Sequence, residues 1–418
     1  MTGKAAETRL PDATWLKEAP LARLLDILNA DGQEARVVGG AVRDALLNER
    51  LGDFDIATTL EPAETIQRVK KAGFKAVPTG LAHGTITVVV RDKAYEVTSL
   101  REDIETFGRK AAVRFGRDWK RDAERRDFTI NALSVSIDGV VHDYVGGLAD
   151  LAKRRIRFIG DARTRIREDY LRILRFFRFH AAYGEGQPDA EALHACIAMR
   201  DGLDLLSRER IRAEVMKLLV ARGAVATLNV MAESGLLLRV LGVVPTVATC
   251  ARMIAIEVAL RLPPDPVRRL AALAVVTVED AMRLSERLRL SNAEGDRLVS
   301  AAAEWPRIND PEEMPALRAK LYHLGSTFFA DAVMLAWGRA AAPPGDALWA
   351  NAATLPQRWQ APRSPFKAAD LIHRGVEKGP ALGAALAAAE TAWIEADFPS
   401  SAAVHADLLD RAAQRYRG

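Results

Sequence analysis

The chain has 418 residues, 49% of them hydrophobic and 27% charged, with a mean hydropathy of −0.05; these values exclude a stapled mini-domain, a disordered chain and a membrane-resident protein, and allow about two to four domains. Lysine plus arginine number 59 against 55 acidic residues, a net +4 that is unevenly spread: residues 101–180 hold 19 basic against 13 acidic side chains and the remainder sums to −2, a local excess suited to a polyanion-binding face. Two cysteines, Cys196 and Cys250, can build neither a zinc cluster nor a disulfide framework, and the opening MTGKAAETRLPDATW lacks a secretory apolar run, so a reducing cytoplasm is expected, with no membrane partner.

Residues 21–30, LARLLDILNA, have helical spacing and end at Asp31-Gly32. A short strand over Arg36–Val38 runs through Gly39-Gly40 into a helix that carries Arg43. Asp53–Thr58 reads as a strand, and Pro62 opens a helix to Ala72. HGTITVVVRDKAYEVTSLR alternates in two β-rich runs around Arg91-Asp92-Lys93, which predicts a hairpin. These elements predict an α+β domain with a largely antiparallel or mixed sheet that ends near Asp150. Beyond residue 151 β-rich runs almost vanish, and Ala/Leu/Arg-rich segments at 169–182, 208–220, 267–276, 281–290 and 381–394 predict helices to the C-terminus. Pro263-Pro264, Pro343-Pro344 and Pro362 mark loops.

Asp53-Phe54-Asp55 is the first chemical signal. On a strand, side chains two apart share a face, so both carboxylates reach one site while Phe54 turns into the core. Hard oxygen ligands so placed suit Mg²⁺, although an isolated Asp-x-Asp is equally a polar strand edge. Gly39-Gly40, 13 residues before Asp53, lets the backbone approach a ligand closely and aims N–H groups at phosphate oxygens, and Arg43 can add a charge-assisted contact. No Gly-Lys-Ser/Thr follows, so this is not a P-loop.

Four ordered motifs carry a family resemblance. VGGAVRDALL with GDFDIATTLEP, then Pro78-Thr79-Gly80 with His83-Gly84-Thr85-Ile86-Thr87-Val88, then RRDFTINAL at 125–133, then EDYLRILRFFRF at 168–179 together resemble the class II tRNA nucleotidyltransferases and bacterial poly(A) polymerases of the polymerase-beta-like nucleotidyltransferase superfamily. The HGTITV segment is similar to the CCA-adding branch. The resemblance covers roughly residues 35–220; further on, RLAALAVV and LRLSNAE resemble the family's helical RNA-binding region more loosely. It implies a polymerase-beta-like head at 1–150, a helical neck with a base-reading motif at 151–220, and a helical body and tail at 221–418 that binds tRNA. It also implies that Asp53 and Asp55 are the catalytic metal ligands, that Gly39, Gly40, Arg43 and Arg126 bind nucleotide, and that Glu168, Asp169, Arg172, Arg175 and Arg178 form the nucleotide-selecting set.

That last set has its own physical logic. On one helix Asp169, Arg172, Arg175 and Arg178 step by three and form a stripe with Asp169 beside Arg172. Cytosine and adenine both present an amino donor beside a ring-nitrogen acceptor, whereas guanine and uracil reverse the pair, so an Asp next to an Arg complements C and A and leaves G and U unpaired at about 1–3 kcal/mol per buried group. Asp127 and Asn131 are expected to orient neighbours, Arg125 is equally a solvated charge, and Glu96 is either a third carboxylate or a partner for an arginine. REDIETFGRKAAVRFGRDWKR, residues 101–121, resembles the family's flexible loop, with Phe107, Phe115 and Trp119 interspersed. Residues 143–150 resemble the turn that joins head and neck. The activity implied is template-independent addition or repair of the tRNA 3′-CCA from CTP and ATP with Mg²⁺. A poly(A) polymerase, an enzyme that adds only CC or only A, and a catalytically silent RNA-binding protein stay open, as does the oligomeric state.

Overall fold

The computed structural model describes residues 8–81, 84–107 and 110–417; His83 and Arg109 lie outside the described residues. Two compact units divide the chain, Met1–Leu236 and Leu237–Gly418.

In chain order the first unit contains α1 (Ala19–Leu28), β1 (Ala35–Val38), α2 (Gly40–Leu46), β2 (Asp55–Thr58), α3 (Pro62–Lys71), β3 (Lys75–Gly80), β4 (Thr85–Val90), β5 (Lys93–Ser99), β6 (Arg101–Phe107), β7 (Lys110–Phe115), α4 (Trp119–Glu124), β8 (Ser134–Val135), β9 (Val141–His142), α5 (Gly147–Ala152), α6 (Ala162–Glu168), α7 (Leu171–Tyr183), α8 (Ala190–Ala198) and α9 (Arg208–Leu219). Seven strands form one mixed sheet in the order β3-β4-β5-β2-β1-β8-β9. Its neighbours are antiparallel except β2 and β5, which run parallel with Asp55 opposite Glu96. The expected α+β head with a mixed sheet, followed by helices, is what the chain adopts.

Glycine sets the turn out of β1. Gly39 has φ 71 and ψ −123, a conformation that strains any residue with a Cβ, and its N–H is held by the Leu133 carbonyl at 3.0 Å. Because β1 leaves the sheet there, Asp53 and Phe54 have no strand beside them on that side. The predicted strand therefore starts two residues late, at Asp55. Phe54 does not enter the core but stacks half-buried on Trp15, with ring centroids 5.1 Å apart; Asp53 is left exposed in the preceding loop.

A second departure concerns the base-reading motif. Asp169 is not on a helix: it sits extended, φ −157 and ψ 108, between α6 and α7. Its carboxylate accepts the Leu171 N–H at 3.1 Å and its carbonyl accepts the Arg172 N–H at 3.0 Å. An aspartate at such a spot competes for backbone donors and breaks the helix that the i, i+3 spacing implied. Arg172, Arg175 and Arg178 do share α7.

Within the stretch 101–121, expected to be a loop, residues 101–107 and 110–115 pair as β6 and β7, and α4 starts at Trp119. Trp119, one of the aromatics interspersed in this basic stretch, faces inward. Its indole N–H donates to Glu34 at 2.8 Å, and the buried Arg36 guanidinium lies 4.1 Å from its ring centroid.

One aromatic core supports both later motifs. Phe128 packs against Phe158 at 4.8 Å and Phe179 at 5.4 Å, and Phe158 stacks on Phe176 at 5.8 Å between centroids. The turn at 143–150 is locked rather than loose: Asp143 accepts the N–H groups of Val145, Gly146, Gly147 and Leu148, and a Cβ on Gly147 would overlap the Thr129 carbonyl.

The second unit is helical. Helices Val247–Ala259, Pro266–Ala274, Val278–Leu288, Asn292–Glu304 and Met314–Arg339 pack around a buried ion network. In it Glu257 accepts from Arg269 at 2.7 Å, and Asp331 accepts from Arg268 at 3.0 Å and Arg297 at 2.6 Å. Helices Pro380–Glu395 and Ala402–Tyr416 close a smaller core on Phe366, Trp393 and Leu408. Among the described residues no helix is long and apolar enough to cross a membrane.

Candidate active site

A cavity of about 540 Å³ in the first unit gathers residues from all the motifs except HGTITV. Gly39, Gly40 and Arg43 enter from the β1–α2 turn and Asp55 from the start of β2. Arg125, Arg126, Asp127 and Asn131 come from the RRDFTINAL segment, and Asp169, Arg172, Arg175, Arg178 and Phe179 from the α6–α7 region. Two predicted residues do not line it: Asp53, exposed beside it in sequence, and Glu168, whose carboxylate is taken up by Arg165 and Arg172.

The carboxylate end is set by sheet register. Parallel pairing places Asp55 opposite Glu96, so their side chains leave the same face of the sheet. Asp55 has its pKa raised from the ordinary aspartate value, first by loss of water around it and next by the Glu96 charge, with Arg126 opposing and Asp53 adding to the repulsion. Crowded hard-oxygen groups of one sign are what a divalent cation of the Mg²⁺ type takes as ligands.

The arginines are held by a relay of hydrogen bonds. Asp122, at the start of the second motif's support, accepts from Arg125 at 2.6 Å and Arg126 at 3.2 Å; burial opposes its charge, but the two guanidinium groups outweigh this and lower its pKa. Arg125 is thus paired rather than solvated. Asp127, buried, accepts from Arg175 Nε at 2.7 Å and from Asn131 Nδ2 at 3.2 Å. Asn131 in turn accepts from Arg43 Nη1 at 2.6 Å through Oδ1. The expected orienting part of Asp127 and Asn131 therefore has a geometry: they connect α7 to the glycine turn.

At the α6–α7 end Asp169 and Arg172 both line the cavity, yet they are not paired with each other. Asp169 Oδ2 accepts from Arg210 Nη2 at 2.6 Å, and Arg172 Nη1 donates to Glu168 and, at 2.7 Å, to the Arg165 carbonyl. Arg178 donates to Glu214 at 2.5 Å and lies 4.0 Å from the Phe179 ring centroid. Arg210 and Glu214, both on α9, were missed in the sequence. Glu214 was findable: it stands beside Val215 on the face that continues to Leu218, and a carboxylate on an apolar face needs a buried cation.

Comparison with known proteins places this arrangement. Residues 35–157 match the family described as Poly A polymerase head domain, and residues 187–248 the family described as probable RNA and SrmB-binding site of polymerase A. A CCA-adding enzyme of Limosilactobacillus fermentum is 31% identical over 369 residues, 88% of this chain and 90% of that protein. The chain belongs to the CCA-adding enzyme family. Among its curated relatives, the mitochondrial CCA tRNA nucleotidyltransferase 1 of Danio rerio is 44% identical over 219 residues, 52% of this chain and 51% of that protein, so the chain spans about half the length of that relative in the match. The crystal structure of the Bacillus stearothermophilus CCA-adding enzyme in complex with CTP superposes with a TM-score of 0.75 at 27% identity, covering 95% of this chain and 99% of the other. The family membership accounts for the order of the four motifs along the chain.

Proposed function

We propose that this chain completes or repairs the 3′-terminal CCA of tRNA without a nucleic-acid template, from CTP and ATP, releasing pyrophosphate. The observation that carries the reading is the single cavity in which Asp55, the Gly39-Gly40 turn and Arg43, and the Asp169 and Arg172 pair of acceptor and donor face one volume.

Asp53 and Asp55 would hold Mg²⁺; Glu96 stands in register opposite Asp55. The bound ion supplies positive charge that makes a primer 3′-hydroxyl a better nucleophile and eases departure of pyrophosphate. The protein groups do the rest. Gly39 and Gly40 admit the phosphates to the backbone, and Arg43 and Arg126 supply charge at their oxygens. Arg175 and Arg178 line the way toward ribose or phosphate. Asp169 accepts the amino group of C or A, and Arg172, whose protein contacts both use Nη1, offers its Nε–Nη2 edge to the ring nitrogen. Glu168 orients Arg172 rather than touching the base. Residues in the C-terminal helices hold tRNA by shape and backbone charge, because one enzyme must serve every tRNA. The three-part division at 150 and 220 assigns catalysis to the head, base reading to the neck and tRNA to the body and tail. Cys196 and Cys250, both free and buried, fit a reducing compartment, and we place the protein in the cytoplasm.

The test is incubation with Mg²⁺ and tRNAs ending before C, CC or CCA, with each labelled nucleotide alone and CTP with ATP together. Completion to CCA followed by arrest supports the reading. Unlimited A addition makes it a poly(A) polymerase; CC alone or A alone makes it a divided enzyme. Asp55→Ala should keep tRNA binding and lose all incorporation; a silent RNA-binding protein would show no incorporation to lose.

A further inference from the structure

Arg43 is tied on every side, and one of its ties comes from the far end of the base-reading helix. Its Nε donates to Asp44 Oδ1 at 2.9 Å, its Nη1 to Asn131 Oδ1 at 2.6 Å and its Nη2 to the Tyr183 hydroxyl at 2.6 Å. The guanidinium carbon also lies 3.8 Å from the Tyr183 ring centroid. Tyr183 is the last residue of α7, 140 positions from Arg43, and it does not line the cavity. It stands behind Arg43, its ring stacked on Phe179 at 6.0 Å.

We infer that Tyr183 is a positioning residue for the nucleotide's triphosphate, acting through Arg43. The inference rests on the reading of this cavity as a nucleoside triphosphate site. An arginine's long stem carries much rotamer entropy, and an arginine already fixed loses less of it when it meets a phosphate. Tyr183 does this fixing at the Nη2 side while Asn131 does it at the Nη1 side, and the side chain is only 6% exposed. Two routes therefore lead from α7 to the same guanidinium. One is direct, from Tyr183; the other is relayed by Arg175, Asp127 and Asn131. The helix that reads the base and the cation that meets the phosphates are one hydrogen-bonded body; the Tyr183 ring also stacks on the cavity-lining Phe179, so the route through Arg43 is the one its hydroxyl serves. Its removal should weaken what binds through phosphate and spare what binds through the base.

The experiment compares CTP with cytidine, by competition binding to the full chain, for the parent, Tyr183→Phe, Arg43→Lys and the double variant, with a thermal melt of each. Tyr183→Phe keeps the ring on Phe179 and deletes only the hydroxyl's hydrogen bonds, with Arg43 and with Asp44 beside it, so CTP should bind about tenfold more weakly and cytidine unchanged, with KM for CTP and ATP rising by the same factor. Because Tyr183 acts through Arg43, the double variant should bind CTP within about twofold of Arg43→Lys alone. CTP binding unaltered in Tyr183→Phe, equal losses for CTP and cytidine, or multiplying effects in the double variant would each overturn the inference while leaving the cavity reading standing. Unaltered CTP binding in Arg43→Lys would overturn the cavity reading and the inference with it.

Discussion

Asp127→Asn isolates the ion pair that joins the second motif to α7. The Asp127 carboxylate takes Arg175 Nε at 2.7 Å and Nη2 at 2.5 Å, and also accepts the Phe128 N–H at 2.8 Å. The amide keeps the shape but replaces one acceptor oxygen with a donor that faces the donors of Arg175. Breaking a buried pair from one side costs about 3–5 kcal/mol, because the remaining charge stays in place without its counterion. Arg175 keeps 31% of its side chain in reach of water, which puts the expected loss at the low end, about 3 kcal/mol. For a unit of this size about 2–4 °C accompanies each kcal/mol, so the melting transition of the first unit should fall by roughly 6–12 °C in calorimetry at pH 7. The pH dependence supplies the sign. Burial alone would raise the Asp127 pKa, but the Arg175 charge and the hydrogen bonds outweigh it and lower the value. A depressed folded pKa gives stability that is present above the unfolded value, about 3.9, and is lost as the pH falls through the folded one. The gap between parent and variant should therefore close on acidification below about pH 4. A shift under about 2 °C at pH 7, the effect of an exposed pair, or a gap that persists undiminished in acid, would refute the electrostatic account.

Asp55→Asn should be slightly more stable than the parent at neutral pH, because a folded pKa raised by loss of water and by Glu96 marks a charge that opposes folding, and the gain stays small because the side chain is exposed; the advantage should vanish as the pH falls through that pKa, as melts across pH will read. Asp169→Asn should cut discrimination against UTP and GTP by about tenfold or more, measured as kcat/KM for each nucleotide, since one acceptor in the cavity becomes a donor. Both cysteines are buried and the Cys250 thiol is pushed by burial up to about 12, so an Ellman titration should find no fast-reacting thiol in the native chain and both after denaturation. In the second unit Asp331→Asn should cost about 3–5 kcal/mol in urea unfolding, since Asp331 is buried between Arg268 and Arg297.

What the sequence disclosed was governed by distance along the chain. The β1–glycine–α2 turn, the β4–β5 hairpin and the helices after residue 151 are local patterns, and each stands within a few residues of its expected bounds. Asp169 was placed on a helix because spacing by three is a helical signal, whereas its carboxylate bonds to the Leu171 N–H and ends the helix. Trp119 lay in a basic segment that resembles a flexible loop, with no local sign of a packing partner; its partners Arg36 and Glu34 lie in and beside β1, more than 80 residues earlier. Tyr183 and Arg210 were invisible for the same reason, since they meet Arg43 and Asp169 across 140 and 41 positions.

Charge is where the sequence was least direct. The basic excess of residues 101–180 predicts a positive face, and five arginines from that stretch line the cavity together with Arg43 and Arg210. Nearly all of that charge is matched in place. Arg43 has Asp44, Arg125 and Arg126 share Asp122, and Arg172 has Glu168; Arg175 has Asp127, Arg178 has Glu214 and Arg210 has Asp169. So many guanidinium groups in one partly buried space would repel one another and lose hydration without such partners. The carboxylates permit the cluster to exist, and some also aim it: Arg172 is held through Nη1 and keeps its Nε–Nη2 edge for a ligand, whereas Arg43 is fixed at Nε, Nη1 and Nη2. Net charge counted along the sequence therefore says little about how the cavity would meet a nucleotide; the unoccupied edges of paired arginines say more. Three of these partners, Asp44, Asp122 and Glu168, lie within four residues of their arginines, whereas the links that join separate elements, Arg175 to Asp127, Arg178 to Glu214 and Arg210 to Asp169, span 36–48 positions. The short-range pairs hold individual side chains; the long-range ones fix α7 and α9 against the second motif, and that is how the fold turns a row of charges into a shaped site.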